Sequence, residues 1–316
     1  MFSYCSDPKA LAEAIWVQLP WLDSFWLTSW ISGFLNSLPW FSCYLTSAKH
    51  VDFYWSFVTV LALLAVTAPA ALAMGFMGAT AARSHVGPVR WFGKAYIWMV
   101  RGIPDIIFFL FFVIALDQGI EYVKNLFVCD GGAWPWQGLE FRVCQEAKVP
   151  LGSSAPIWHK AYGFFLAVLT FALVFGAFTA NVIYGAMGAV PRAQLETAEA
   201  YGMSRKQVFR RILVPQMWVY ALPGLGNLWM ILIKATPLLF LLGVQDIVYY
   251  ARELGGSKTQ VYEYPHGDWR LYYFLGLLVF YLVFTRVSEI GFSRLTRKLS
   301  HGQATAAGEA MRKAAA

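Results

Sequence analysis

Charged side chains are scarce in this chain. Asp, Glu, Lys and Arg together make up 14% of its 316 residues, whereas hydrophobic residues make up 58% and the mean hydropathy is +0.51. A soluble globular domain carries roughly 25% charged residues, because its surface must interact with water. The composition therefore excludes a water-soluble globule and predicts an integral membrane protein.

The usual sequence signatures of enzymes are also missing. The five histidines are scattered without an H-E-x-x-H or other metal-ligand spacing, and there is no G-x-S-x-G nucleophile elbow. The stretch 255–259, GGSKT, lacks the G-x-x-x-x-G-K-[ST] spacing of a phosphate-binding loop. We therefore expect no catalytic residue, no metal site and no cofactor bound by this chain, which is not predicted to be an enzyme.

The net charge of +7 does not indicate a nucleic-acid partner. The basic residues cluster at the ends of apolar runs, as the positive-inside rule of membrane proteins predicts. No basic patch interleaved with aromatic residues, of the kind that binds single strands, is visible. The charge pattern therefore predicts that the lipid bilayer is a partner of the protein, and it excludes nucleic acid.

Apolar runs long enough to cross a bilayer, which needs about 20 residues, recur along the chain. They predict an all-α, polytopic membrane protein with about five transmembrane helices. The predicted spans are 53–82, 95–116, 161–190, 218–243 and 270–291.

The two ends of the chain are predicted to differ from this core. Residues 1–50 contain five tryptophans spread among Pro, Gly, Ser and Thr, which favours a segment along the membrane interface, although an additional span remains open. Residues 296–316 begin basic and end rich in alanine, and we expect a disordered cytoplasmic tail.

A polar stretch, 191–215, lies between two apolar runs and predicts two short helices joined by a turn. Pro191 suits the first position of a helix. Gly202 suits the left-handed position after the helix end, and Ser204 followed by Gln207 predicts a capping box that starts the second helix. Pro215 predicts the next break.

The same stretch resembles the EAA motif of permeases of ATP-binding-cassette (ABC) importers, which in that family reads E-A-A, three residues, G, nine residues, I, one residue, L-P. The matching positions are Glu196, Ala198, Gly202, Ile212 and Pro215, whereas Thr197 and Val214 replace Ala and Leu. The resemblance implies a permease of type I importer fold over residues 51–295. It also implies that loop 191–215 couples the permease to an ATPase.

The resemblance implies partners as well. They are a second permease subunit in a homo- or heterodimer, two ABC ATPase subunits that bind ATP and Mg²⁺, and an extracytoplasmic solute-binding protein. The 101–104 stretch, RGIP, and the 234–239 stretch, KATPLL, resemble signatures of the polar amino acid branch. An importer of polar amino acids is therefore implied.

Ionisable and polar residues in spans mark candidate positions along a solute path. Arg101 and Asp105 are four residues apart, so they would lie on one helical face and could pair. A structural ion pair is the alternative reading. Asn181 stands where the family often has Glu, which weakens the case for a strictly basic substrate. Lys234 and Thr236 belong to the KATPLL stretch.

Placing loop 191–215 in the cytoplasm also places the basic 83–94 loop and the basic tail there. The 117–160 and 244–268 loops and the N-terminus then lie outside. This predicts a multi-pass protein with its C-terminus in the cytoplasm, and the resemblance implies the bacterial inner membrane.

All four cysteines fall on the predicted outer side, where disulfides persist. Cys129 and Cys144 are predicted to pair within the 117–160 loop, and Cys5 and Cys43 to form a second bond. Unpaired thiols are the alternative, above all for the second pair.

Other functions remain open at this point. The substrate could be an opine, a peptide or an oxyanion, since a separate binding protein takes part in its selection. A secondary transporter or a membrane scaffold would be a different class. A secondary transporter usually has a longer chain or an inverted repeat, and neither is evident.

Overall fold

The computed structural model describes residues 40–99, 104–129, 135–137, 140–242 and 244–299. Five helices in these ranges are long and apolar enough to cross a membrane: Ala48–Ala82, Ile106–Val128, Pro156–Ala189, Arg205–Phe240 and Arg270–Leu299. The predicted all-α fold with about five spans is therefore confirmed. Most of the segment predicted to lie at the interface (1–39), and residues 300–316 of the predicted tail, lie outside the described residues.

The described helices are labelled in chain order. They are α1 (Ala48–Ala82), α2 (Gly87–Met99), α3 (Asp105–Val128), α4 (Pro156–Ala189), α5 (Arg192–Ala200), α6 (Arg205–Val208), α7 (Val214–Ala235), α8 (Ile247–Gly255) and α9 (Arg270–Leu299). A π-helical segment, Phe209–Leu213, joins α6 to α7, and a 3₁₀ segment, Thr236–Leu242, follows α7. A 3₁₀ turn also covers Gln145–Ala147.

These residues form two compact units. The smaller unit contains the described residues up to Thr59 together with Asp246–Leu277. The larger unit contains the described residues of Val60–Gln245 and those from Leu278 onward, including the 191–215 stretch.

The second span differs from its prediction. The apolar run 95–116 is divided between α2 and α3, and the candidate span is Ile106–Val128 within α3. Pro104 precedes α3 with φ −59° and ψ 133°, an extended conformation. A proline has no N–H to donate to a preceding turn, so it starts a helix more readily than it continues one. Hydropathy alone does not reveal such a break.

In the larger unit, glycines allow α1, α2 and α4 to approach closely. A Cβ built on Gly75 would lie 2.4 Å from Thr179 Cγ2, and one built on Gly93 would lie 2.3 Å from the backbone nitrogen of Ala82. The Tyr96 hydroxyl of α2 donates a hydrogen bond of 2.7 Å to the Leu173 carbonyl of α4. Small residues at helix contacts are the usual means of close packing in membranes.

The 117–160 loop is shorter than predicted, and its described residues include a hairpin. α3 continues to Val128 and α4 begins at Pro156, while a two-stranded antiparallel hairpin pairs Trp136 with Phe141. Cys129 and Cys144, the pair proposed from the sequence, form a disulfide with Cα atoms 6.2 Å apart. Cys43 is also disulfide-bonded, and its predicted partner Cys5 lies outside the described residues.

The smaller unit is organised around Tyr44, whose side chain is buried. Its hydroxyl lies 3.0 Å from the Tyr273 hydroxyl and 3.2 Å from His266 Nε2. His50 Nε2 lies 2.6 Å from the same Tyr273 hydroxyl, so the four side chains form a continuous hydrogen-bonded chain. A buried polar group is costly unless it is paired, and this chain pairs each of them.

The predicted 244–268 loop contains a helix that the sequence reading missed. α8 begins after Asp246, whose side chain accepts a hydrogen bond of 2.9 Å from the Tyr249 N–H. Asp246 is fully buried, and its second carboxylate oxygen has no hydrogen-bond partner among the described residues. Burial disfavours the charged form and raises the pKa of Asp246 to about 6.

This raised pKa predicts a stability that depends on pH. The folded state holds the proton more tightly than an unfolded chain, in which an aspartate titrates near 3.9. The stabilisation from Asp246 is therefore complete below about pH 4 and is lost as pH rises through about 6. Asp246→Asn keeps a side chain that can cap α8 and removes the charge. We expect this variant to gain up to about 3 kcal/mol at pH 7 and nothing at pH 4.

Thermal unfolding of the purified protein between pH 4 and pH 8 measures this difference. Asp268→Asn is a suitable control, because the Arg270 guanidinium beside Asp268 lowers the pKa of that carboxyl to about 2, below the tested range. If the Asp246→Asn variant kept the pH slope of the natural protein, Asp246 would not be its source.

Candidate coupling site and solute path

The 191–215 stretch forms an elbow of two helices joined at Gly202. Gly202 has φ +83°, the left-handed conformation predicted for it. Its N–H donates to the Glu199 carbonyl (2.9 Å), and the Met203 N–H donates to the Ala198 carbonyl (3.1 Å). These two bonds form a Schellman motif, which satisfies the last carbonyls of α5.

The second helix of the elbow starts at the predicted cap. The Ser204 N–H donates a hydrogen bond of 2.8 Å to Gln207 Oε1, and the Ser204 hydroxyl lies 3.0 Å from the same oxygen. This capping box fixes the direction in which the chain leaves the turn. Only Met203 separates Gly202 from Ser204, so the hydrogen bonds at these residues set the angle between the two helices of the elbow.

Both prolines of the stretch take positions other than those predicted. Pro191 is the N-cap residue and α5 begins one residue later, at Arg192. Pro215 does not break the helix but lies in the first turn of α7, directly after the π-helical segment. There the Val214 N–H donates to the Phe209 carbonyl, five residues earlier. A π turn interrupts the ordinary i→i−4 ladder, and a proline without an N–H is tolerated at such a point.

The elbow is anchored to the helical core of its unit. Leu213 is buried, and Leu195 of α5 and Phe209 pack against the same cluster. The buried members of that cluster come from α1, from the end of α4 and from α7: Ala79, Ile183, Ala186, Met187, Val190, Met217 and Ala221. The elbow therefore packs directly against three helices that are long and apolar enough to cross a membrane.

The predicted coupling residues divide between the two faces of the elbow. Ala198 faces inward with 7% of its surface exposed, and Ile212 is half-buried. Glu196 and Gly202 are exposed. Tyr201, which the sequence reading did not single out, is 85% exposed and lies between them in the chain. An exposed aromatic ring beside a glycine turn is a candidate contact for a partner surface.

The predicted pairing of Arg101 with Asp105 is not carried by one helix. α2 ends at Met99 and α3 begins at Asp105, with the extended Pro104 between them. The i, i+4 spacing therefore does not place the two residues on one helical face. Arg101 lies outside the described residues, and so its place in a solute path stays a prediction.

The other predicted path residues are not brought together. Lys234, near the end of α7, is exposed. Thr236 is fully buried, and its hydroxyl lies 2.8 Å from the Tyr281 hydroxyl and 2.9 Å from the Ile233 carbonyl. Thr236 thus links the start of the 3₁₀ segment to α9, which is a structural contact.

Asn181 lies in a cavity of about 490 Å³ formed by α2 and α4, which we call the α2–α4 groove. Its lining residues are Trp91, Lys94, Ala95, Ile97, Trp98, Asn181 and Tyr184. Lys94 and Tyr184 were not predicted as path residues. The helical spacing of Trp91, Lys94 and Trp98 is the signal that could have placed Lys94 on a common face with the two indoles.

A second cavity, of about 350 Å³, lies among α1, α4, α7 and α9. Its lining is almost wholly apolar: Ala68, Pro69, Ala71, Leu72, Phe175, Thr179, Trp218, Leu222, Leu225, Leu228, Trp229, Leu232 and Phe292. It offers no charged group among the described residues. The α2–α4 groove is therefore the better candidate for contact with a polar solute.

Within the described residues, no three His, Cys, Asp or Glu side chains are grouped to hold a metal.

Comparison with solved structures identifies the fold. The chain resembles a protein described as an amino acid ABC transporter crystallised with histidines, with a TM-score of 0.55 and 20% sequence identity. The match covers 81% of this chain and 98% of that one.

Comparison with characterised sequences is more specific. The histidine/lysine/arginine/ornithine transport system permease protein HisQ of Salmonella typhimurium is 31% identical over 235 residues, which cover 73% of this chain and 86% of HisQ. The arginine ABC transporter permease protein ArtQ of Escherichia coli is 30% identical over 63% of this chain and 77% of ArtQ. The octopine transport system permease protein OccQ of Agrobacterium tumefaciens is 29% identical over 69% and 77%.

Residues 71–301 match the family model described as "binding-protein-dependent transport system inner membrane component". This range includes the whole elbow, and it confirms the resemblance that the spacing of its residues predicted. The chain therefore belongs to the family of inner-membrane components of binding-protein-dependent transport systems.

Proposed function

We propose that this chain is the permease subunit of an ATP-driven importer of amino acids, coupled to its ATPase through the 191–215 elbow. The observation that carries the proposal is the geometry of the elbow. It exposes a glycine turn next to an acidic helix face and is anchored by Leu195, Phe209 and Leu213 to the core helices. The characterised relatives named above are permeases of amino acid or opine transport systems.

The elbow suits the transmission of movement. Closure of two ATPase subunits on ATP and Mg²⁺ would push on α5, whose inward face packs against helices that cross the membrane. Because packed interfaces switch between discrete arrangements, a small shift at the elbow would reorient these helices and change the side to which the path opens. Glu196 offers a charged contact to the ATPase, and Ala198 keeps α5 close to the core.

The remaining partners and the orientation belong to the same proposal. A second permease subunit, identical or related, would complete the path, and an extracytoplasmic binding protein would deliver the solute. The N-terminus and the 117–160 loop would lie outside, with the elbow and the C-terminus in the cytoplasm of a bacterial cell. The relative OccQ, a permease for octopine transport, makes an opine the second candidate substrate.

Labelling at Tyr201 tests the placement of the elbow. The described residues contain no free cysteine, so a Tyr201→Cys variant introduces a single reactive thiol into that part of the chain. We expect a membrane-impermeant maleimide to label it in inside-out vesicles and not in intact cells. Bound ATPase should protect the thiol, because the partner would cover the elbow.

An Ile157→Cys variant, at the exposed start of α4, should show the opposite sidedness. Labelling of Tyr201→Cys from outside would overturn the proposed orientation and the coupling role.

A further inference from the structure

The α2–α4 groove has a regular construction. Trp91, Lys94 and Trp98 lie at intervals of three and four residues, so they form one stripe along α2. Asn181 and Tyr184 are three residues apart on α4 and face the same cavity. One ammonium and one amide therefore lie in a cavity that is otherwise lined by Ala95, Ile97 and three aromatic side chains.

The charge of the groove has one sign. Among the described residues that line the groove, Lys94 is the only charged one, and none is Asp or Glu. Lys94 forms no ion pair within the described chain. Lys94 and both indoles are exposed on this face of α2, so a solute that enters the groove can reach them.

Amino acids match this lining in one orientation. The ammonium of Lys94 would attract the solute carboxylate, and the amide oxygen of Asn181 would accept a hydrogen bond from the solute ammonium. The side chain would then lie against the indoles of Trp91 and Trp98. A second positive charge on that side chain would meet the field of Lys94 without a carboxylate to balance it. The indole faces can attract a cation, but Lys94 already supplies one beside them.

We propose that Lys94 is a specificity-determining residue that selects amino acids without a cationic side chain, with Asn181 as its partner in the α2–α4 groove. This inference rests on the proposed function, since it names the substrate class of the same path. It separates this chain from HisQ and ArtQ, whose names state transport of histidine, lysine, arginine and ornithine or of arginine. The difference would arise in the permease itself, in addition to any choice made by a binding protein.

Glutamine and arginine are suitable probes because they have similar length and differ in charge. The detergent-solubilised permease–ATPase complex is titrated with each, and the rise in melting temperature gives an apparent Kd without the binding protein. We expect glutamine to bind at least about tenfold more tightly than arginine, a factor that one like-charge contact can supply. Lys94→Met should reduce this ratio to about threefold or less, and Lys94→Arg should preserve it.

Two further variants distinguish specificity from structure. Arg90→Met removes a basic residue from the same helix outside the groove, so it controls for the loss of a positive charge near the membrane surface and should leave the ratio unchanged. Asn181→Asp adds the missing carboxylate and should shift the preference toward arginine by about tenfold. A merely structural role of Lys94 would change stability without changing the ratio.

The outcomes separate the two proposals. Equal binding of glutamine and arginine, or a ratio that does not respond to Lys94→Met, would overturn the role of Lys94 and leave amino acid import intact. If neither probe bound, and vesicles with the binding protein took up no amino acid although the ATPase copurified, amino acid import would fail and the inference with it.

Discussion

In a Gly202→Asp variant, the rate of ATP-dependent uptake is expected to fall at least about tenfold, while the permease remains folded. This fall corresponds to about 1.4 kcal/mol in the activation free energy of transport. Gly202 lies at the exposed point of the elbow, where the proposed ATPase contact is made. An added carboxylate at this point would bring a charge and extra volume into an interface that is formed around bare backbone. Uptake should fall because movement of the ATPase is no longer transmitted.

The fold should tolerate this change for two reasons. Gly202 has φ +83°, and Asp and Asn are the side chains that most readily adopt the left-handed conformation after glycine. A Cβ at this position would also meet no atom within 4 Å. The Schellman bonds of α5 involve backbone atoms alone, so the turn can persist in the variant.

Uptake, ATP hydrolysis and copurification of the ATPase should be measured on the same membranes. Gly202→Asn has nearly the same volume without the charge, so it separates the effect of charge from that of size. Gly152→Asp is the matched control, because Gly152 is an exposed glycine in the 117–160 loop with no atom within 4 Å of a built Cβ. Normal uptake by a correctly assembled Gly202→Asp variant would remove the elbow from the mechanism.

The elbow could be predicted from sequence because its determinants are local. Gly202 and the Ser204–Gln207 pair act over four residues or fewer, and each takes the conformation that its residue type favours. Pro215 was misjudged because a proline is compatible with a helix when the preceding turn is π-helical. That property depends on the hydrogen-bond register of Phe209–Leu213 and leaves no composition signal.

Features that depend on distant contacts could not be predicted in the same way. The division of the 95–116 run at Pro104 was missed because the run was judged by its length and average hydropathy, although Arg101, Pro104 and Asp105 interrupt it. α8 was missed because its nine residues, although amphipathic, are fewer than the roughly 11–18 over which a helical period is usually recognised. The α2–α4 groove brings together residues that lie almost ninety positions apart in the sequence. The sequence alone assigns Lys94 to a basic loop. Its proximity to Asn181 follows from the close packing of α2 on α1 and α4.

That close packing gives the second large effect, since Gly93→Ala should destabilise the contact between α1 and α2. A Cβ at Gly93 would lie 2.3 Å from the nitrogen of Ala82 and 2.7 Å from the carbonyl carbon of Ala81. Both are backbone atoms of α1, so no side-chain rotation can relieve the overlap. Overpacking typically costs about 1–3 kcal/mol, and a contact with backbone should lie at or above the upper end.

The gain in helix propensity from Gly to Ala, about 1 kcal/mol, offsets only part of this cost. We therefore expect a net loss of about 2 kcal/mol and a melting temperature about 5 °C lower for the purified protein. Gly163→Ala in α4 is the matched control, because it lies inside a helix and has no atom within 4 Å of a built Cβ. It should be neutral or slightly stabilising. If Gly93→Ala were as stable as Gly163→Ala, α2 would not lie against α1 at this distance, and the walls of the α2–α4 groove would have to be placed differently.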